Sequence, residues 1–250
     1  MPDRGISQSG EMVAAPNMSY WMDILALIYF FAVWTIYSHT TAHGFAGRRS
    51  LTFEMNQARS EWMATMATRE LRMIDTSIMI GLQQGTGFFA STSILAIGGC
   101  FGLLNSSGRV LTLFHDLPFL GDTTQELFET KILGLLILFA YAFFKFAWSY
   151  RLFNYCSILI GSVPMARDKG PDDPLVIAGV NRAAGINIQA GQHFNSGLRG
   201  IFFSIGYLGW FLHPVLFMIT TTLVAIVLLR RQFFSKARDV LMRNTVNPDS

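Results

Sequence analysis

TSIMIGLQQGTGFFASTSILAIGGCFGLL, residues 76–104, holds no Asp, Glu, Lys or Arg. The hydrocarbon of a bilayer needs ~20 mostly apolar residues per spanning helix. Backbone N–H and C=O groups in lipid must be satisfied within their own segment, so such a run reads as a helix. Working outward, three more runs of the same kind appear: Tyr20–Ser38, Ile132–Trp148 and Gly200–Leu229. The sequence therefore predicts an all-α polytopic membrane protein, a bundle of four transmembrane helices with long helices extending beyond the bilayer. Its spans fall at about 20–38, 76–104, 132–150 and 200–229, within a domain covering 18–235. A polar tail occupies 1–17 and a basic tail 236–250.

Composition agrees. The hydrophobic fraction is 51%, the charged fraction 14% and the mean hydropathy +0.37, whereas a soluble domain carries about 25% charged residues. The net charge of +3 comes from 19 Lys+Arg against 16 Asp+Glu. In a membrane protein such an excess belongs to cytoplasmic loops rather than to nucleic-acid binding. Cys100 and Cys156 sit in apolar helical stretches and read as small core residues, without a disulfide or metal framework. The polar start, with Arg4 as its one basic residue, does not resemble a cleaved leader, so a retained first helix is expected. No lipidation motif stands at either end.

Asn17 and Ser19 are placed to cap the first helix. Leu51–Asp75 is amphipathic, with Met55, Ala58, Trp62, Met66, Arg69 and Arg72 at three- and four-residue steps. It is expected to run unbroken into the second span, a rod of roughly 75 Å at ~1.5 Å per residue. Asn105–Lys131, with Asp116, Asp122, Glu126 and Glu129, reads as an acidic loop with a short helix. The third helix continues past Trp148 to Ile160. Leu175–Gly191 reads as a small-residue helix outside the hydrocarbon, with the fourth span following from about His193. Four crossings split the Lys and Arg almost evenly between the two sides. The acidic second loop then favours both termini outside, and the basic tail opposes it.

Three stretches carry a family resemblance: RELRMIDTSIMIGLQQGTGFFASTSIL within Arg69–Leu104, KFAWSYRLFNYCSILIGSVP over Lys145–Pro164, and HFNSGLRGIFFSIGYLGWFLHP over His193–Pro214, followed by Arg230–Arg231. Together they resemble the bacterial membrane proteins grouped as domain-of-unknown-function family 599, over most of residues 19–240. The resemblance implies a four-helix, multi-pass protein of the bacterial inner membrane. It implies no activity.

Polar groups inside the runs are the candidate site residues. A cation at mid-span costs ~2.5–3.5 kcal/mol on insertion scales, so Lys145, among Phe143, Phe144 and Phe146, is expected to face the bundle interior. Asp75 is its best partner on charge and depth; snorkelling to the interface is the plainer alternative. Arg72, Arg151, Asn154, Tyr155, Asn195 and Arg199 form a second group. Arg151 with Asn154 and Tyr155, and Asn195 with Arg199, share helix faces. Brought together they would make a basic pocket for phosphate or carboxylate or an anionic lipid headgroup; otherwise they pin helices to one another.

His39 and His43 are four apart, but no further Cys, His or Glu completes a metal or haem site. His213–Pro214 reads as a kink. Gly81 with Gly85, and Gly98 with Gly102, are small-xxx-small pairs for close helix packing or a homodimer face. GLQQGTG lacks the Lys-Ser/Thr of a phosphate loop, so Gln83 and Gln84 read as interhelical hydrogen-bonding groups. Tyr20, Trp21, Trp62, Trp148 and Tyr150 are placed as interface anchors.

No catalytic residue, metal ligand or cofactor is assigned, since no nucleophile–base arrangement is visible. The leading reading is a non-enzymatic binding or assembly factor that uses a basic interhelical pocket for a lipid headgroup or small anion. Its expected partners are membrane lipids, with a homo-oligomer or larger membrane complex left open and no nucleic acid. An oligomeric transporter or channel subunit lined by Gln83, Gln84, Asp75 and Lys145 is the alternative. A membrane enzyme or haem or metal redox protein drawing Glu61, Glu70, Asp75, His39 and His43 together is the third.

Overall fold

The structure is a computed structural model that describes residues 18–44, 48–115 and 124–243. Asn17, the acids Asp116 and Asp122, the polar start of the chain and the end of the basic tail lie outside them, as does the side chain of Ser19. The described residues form nine α-helices: α1 (Met18–His43), α2 (Leu51–Thr68), α3 (Met73–Asn105), α4 (Ser107–His115), α5 (Gln125–Ser162), α6 (Ala166–Lys169), α7 (Pro174–Tyr207), α8 (Pro214–Phe233) and α9 (Lys236–Arg243). Four stretches are long and apolar enough to cross a membrane: Tyr20–Ala42, Met73–Asn105, Gln125–Ser162 and Pro214–Leu241. At ~1.5 Å per residue, the 38 residues of α5 far exceed a hydrocarbon layer of ~30 Å.

The backbone of the fold is an antiparallel hairpin of α5 and α7. Its rungs run in order along both helices. Tyr207 Oη donates to the Lys131 carbonyl at 3.1 Å, Ser149 Oγ to the Ala190 carbonyl at 2.7 Å, and Cys156 Sγ to the Ala183 carbonyl at 3.5 Å. Small residues let the two axes approach: a Cβ on Gly197 would lie 2.7 Å from the Phe146 ring, and one on Gly134 would collide with the Tyr207 hydroxyl.

The fourth apolar run is therefore not one helix. Residues 174–207 form a single helix, so the expected boundary near His193 does not exist. The chain breaks instead at a 3₁₀ turn, Leu208–Phe211, and restarts at Pro214. Proline has no N–H to give and pushes the residue before it out of the helical region. His213 is accordingly extended, and its Nδ1 accepts from the Val215 N–H at 3.1 Å, capping α8. Thr220 Oγ1 donates to the Gly206 carbonyl at 2.6 Å, fastening α8 back against α7. The expected kink is a reversal.

α8 runs parallel to α1. Trp210, just before α8, donates its indole N–H to Asp23 Oδ1 at 2.5 Å near the start of α1, and Tyr29 and Thr222 share a 2.6 Å hydrogen bond further along. Two cores result. Phe30, Phe203, Tyr207, Trp210 and Phe217 fill the one between α1, the first half of α5, the end of α7 and α8. Met63, Met66, Met79, Phe153 and Cys156 belong to the other, between α2, α3, the second half of α5 and the start of α7. Many phenylalanines thus fill cores rather than face lipid.

The expected rod from Leu51 to Leu104 is broken at 69–72, where Arg69 is extended. The cause is Asp75, which is 0% exposed and would be costly to bury without donors. In a continuous helix Trp62 would sit ~20 Å along the axis from Asp75. Because α2 folds back, the Trp62 indole reaches Asp75 Oδ1 at 2.7 Å and the Arg69 guanidinium pairs with the same oxygen. Trp62 is an internal donor, not an interface anchor.

A basic pocket at one end of the bundle

A cavity of about 420 Å³ opens where α1 and α8 end, between α2, α7 and the start of α9. That volume falls within the ~300–1,000 Å³ usual for small-molecule sites. Three guanidinium groups line it: Arg59 from α2, Arg199 from α7 and Arg231 from α8. None of the lining residues is an Asp or Glu. Among the described residues, no salt bridge engages any of the three arginines.

Arg59 and Arg199 are held by neutral groups. Arg59 donates to the Asn187 side-chain oxygen and, at 3.4 Å, to its carbonyl, with the guanidinium 5.9 Å from the Phe153 ring centre. Asn187 is itself 0% exposed. Burial draws the Arg59 guanidinium below its ordinary pKa, because desolvation penalises the charged form. Arg199 lies 5.7 Å over the Tyr37 ring and donates to Ser196 Oγ at 3.4 Å. Gly191 lies close beside Arg59: a Cβ there would stand 2.9 Å from the guanidinium, which would have to shift. Gln232 donates to Thr52 Oγ1 at 2.6 Å and ties α8 to α2 at the rim.

The sequence-derived residues separate into different places. Asn195 and Arg199 line the cavity, four residues apart on α7 as their spacing requires. Arg72 does not join them. Its guanidinium donates to the carbonyls of Ile160, Val163 and Pro164 at 2.6, 2.7 and 3.4 Å and so caps the end of α5. Arg151 donates to Tyr155 Oη at 2.5 Å and lies 5.8 Å over Trp148, on the outer side of α5. Asn154, on that same helix, is not among the cavity residues.

Lys145 and Asp75 are not partners: Asp75 pairs with Arg69, while Lys145 Nζ sits 5.4 Å over the Tyr141 ring. The registry explains the separation, for Phe89 of α3 stacks on Phe146 at 5.4 Å, which places Asp75 about 20 Å further along α3. Gln83 donates to Ser157 Oγ at 3.0 Å, bridging α3 and α5 as expected. Gln84 is exposed. A Cβ on Gly81, Gly85, Gly98 or Gly102 would meet nothing within 4 Å, so among the described residues they pack against no neighbouring helix. His39 is exposed, the side chain of His43 lies outside the described residues, and His213 is the α8 cap. Among the described residues, no group of three His, Cys, Asp or Glu comes together as metal ligands.

Sequence reasoning missed Arg59 and Arg231 as pocket residues, because they meet only through the fold. It also missed a buried pair at the other end of the bundle. Asp23 and Lys131 are 4% and 3% exposed, 4.0 Å apart, and the ammonium lies 5.6 Å from the Trp210 ring.

Fold and pocket together define a helical membrane protein with a cation-lined cavity at one end of its bundle. Residues 25–237 match the family described as "Protein of unknown function, DUF599", and the chain belongs to that family. No curated protein and no solved structure matches it.

Proposed function

We propose that the protein is a non-catalytic binding protein of the bacterial inner membrane, whose pocket takes an oxyanion at the cytoplasmic face. The observation that carries the reading is three arginines converging on one cavity with no acid among its lining residues. Guanidinium forks match phosphate and carboxylate oxygens in geometry. Left without an anion, clustered positive charges repel one another across a low-dielectric gap.

The side of the membrane follows from charge. Toward the end of the bundle where α1 starts, the described residues carry Arg109 and Lys131. The cations of α2, α6 and α9, with Arg72, Arg182, Arg230 and Arg231, lie toward the pocket end. An excess of Lys and Arg marks the cytoplasmic side. A helical bundle also suits an inner membrane, since spanning proteins of outer membranes are barrels.

The test is ligand stabilisation of the purified protein in neutral detergent. Inorganic phosphate, glycerol 3-phosphate and short-chain dihexanoyl-phosphatidylglycerol would each be titrated while the melting temperature is followed. A ligand at ~100 times its Kd adds about 2.7 kcal/mol. At least one of the three should raise the melting temperature of the wild type and do nothing for the Arg199→Gln/Arg231→Gln variant. If none acts on the wild type, or the variant responds equally, the anion reading fails.

A further inference from the structure

The cavity is graded along the bundle axis. On α7, which runs away from the cytoplasmic face, Gly191 and Asn195 come first, Leu198 and Arg199 follow side by side in the chain, and Phe202 comes last. On α8, which runs the other way, Leu228 precedes Arg231 and Gln232. On α8 the cation stands toward the aqueous end and the leucine toward the middle of the bundle; on α7 Arg199 stands at the depth of Leu198, with Phe202 deeper than both. Tyr37 and Thr41 of α1 repeat the order of α8, with the ring deeper than the hydroxyl-bearing Thr41. The α1 residues also fix the depth, because they stand at the end of the span Tyr20–Ala42.

A free inorganic anion has use for the polar half alone. Leu198, Phe202 and Leu228 offer it no hydrogen bond, and they stay partly uncovered by the rest of the chain. An amphiphile with phosphate at one end and hydrocarbon at the other uses both halves. We infer that the occupant is one anionic phospholipid, its phosphate among Arg59, Arg199 and Arg231 and the upper part of its acyl chains over Leu198, Phe202 and Leu228. This rests on the oxyanion reading above and narrows it from any phosphate to one attached to hydrocarbon. Basic pockets between spanning helices on the cytoplasmic side suit such headgroups. Apolar contact adds affinity with each methylene removed from water.

The wild-type protein in neutral detergent supplies the first measurement. Dihexanoyl-phosphatidylglycerol should bind at least about ten-fold tighter than glycerol 3-phosphate, the ratio that burying as few as two methylenes gives. Equal affinity would overturn the lipid assignment and leave the oxyanion reading standing. Binding of neither would overturn the lipid assignment, and if inorganic phosphate also failed to bind, the oxyanion reading would fall with it. The second measurement reconstitutes the protein in vesicles of equimolar phosphatidylglycerol and phosphatidylcholine, extracts it gently and counts retained lipid by native mass spectrometry.

One phosphatidylglycerol should be retained in preference to phosphatidylcholine. That preference should vanish in Arg199→Gln/Arg231→Gln. Leu198→Asn/Leu228→Asn should lose retained lipid yet keep any binding of glycerol 3-phosphate, which also shows that the variant is folded. Unchanged lipid retention in the leucine variant, or retention without headgroup preference in the wild type, would sink the proposal.

Discussion

Single side chains in this protein carry more than their sequence positions suggest, and Arg72 is the clearest case. The last carbonyls of a helix have no intrahelical donors, and one guanidinium from the start of α3 meets that of Ile160 in α5 together with that of the C-cap residue Val163. Hydrogen bonds to charged groups contribute ~1.5–3 kcal/mol each. Arg72→Ala should therefore lower the stability of the purified protein by about 2 kcal/mol or more in denaturant unfolding. Arg151→Ala, whose partners are exposed groups of its own helix, should stay within about 0.5 kcal/mol. Equal effects would show that the end of α5 is satisfied by some other donor.

The Asp23–Lys131 pair makes a second residue-scale test. Both groups are buried, and removing one partner of such a pair costs ~3–5 kcal/mol because the other charge is stranded. Asp23→Asn and Lys131→Met should each destabilise strongly. The double variant should recover part of the loss, and a double-mutant cycle measures the coupling. Additive losses would mean that the two charges do not interact.

At the scale of helices, what was legible depended on whether a signal was local. The apolar runs are local, and α1, α3 and α5 fall where the runs place them. The helix over Leu175–Gly191 was legible but its unbroken continuation to Tyr207 was not, because Asn187, Gln189, Gln192 and His193 interrupt the apolar run. Asn187 is buried with Arg59 of α2 as its partner, which no window on α7 contains, while Gln189 and Gln192 are exposed. The break at 69–72 was hidden for the same reason, since no Pro or Gly marks it and its cause is a carboxylate that needs a donor from the preceding helix. Asn195 and Arg199 were legible by spacing alone. Arg59 and Arg231 were not, because nothing in their neighbourhoods points to a meeting.

Glycines show the same limit. Small-xxx-small spacing singled out Gly81, Gly85, Gly98 and Gly102, yet Gly134 and Gly197 are the glycines pressed between α5 and α7. A methyl group forced into a packed contact typically costs ~1–3 kcal/mol, while Ala in a helix without such a contact gains roughly 0.5–1 kcal/mol over Gly. Gly197→Ala should lower the melting temperature of the monomer in detergent, and Gly81→Ala should leave it unchanged or raise it. The reverse order would refute the α5–α7 contact.

The path of the whole chain decides which side each end occupies. α1, α5 and α8 run in one direction, and α3 and α7 in the other, as the rungs Gln83–Ser157 and Tyr207–Lys131 require. If α5 and α8 both cross the membrane the same way, the chain between them must return through it, and α7 is the segment that returns. On that condition α7 adds a passage to the four apolar spans, and the start and end of the chain are expected on opposite sides. The expectation of both termini outside came from reading 200–229 as one crossing, which also made the charge ledger look balanced.

With the extra passage, Arg230, Arg231, Lys236 and Arg238 join Arg59, Arg69 and Arg72 on the pocket side, and the imbalance becomes large. With the pocket at the cytoplasmic face as proposed, the positive-inside rule predicts the start of the chain outside and the end in the cytoplasm. The two native cysteines, Cys100 and Cys156, are buried, so introduced cysteines can report location with little background. In intact cells, Ser7→Cys should react with a membrane-impermeant maleimide, and Ser250→Cys should react only after the membrane is opened. Labelling of both positions from outside would remove the return passage through α7, and with it the placement of the arginine pocket at the cytoplasmic face.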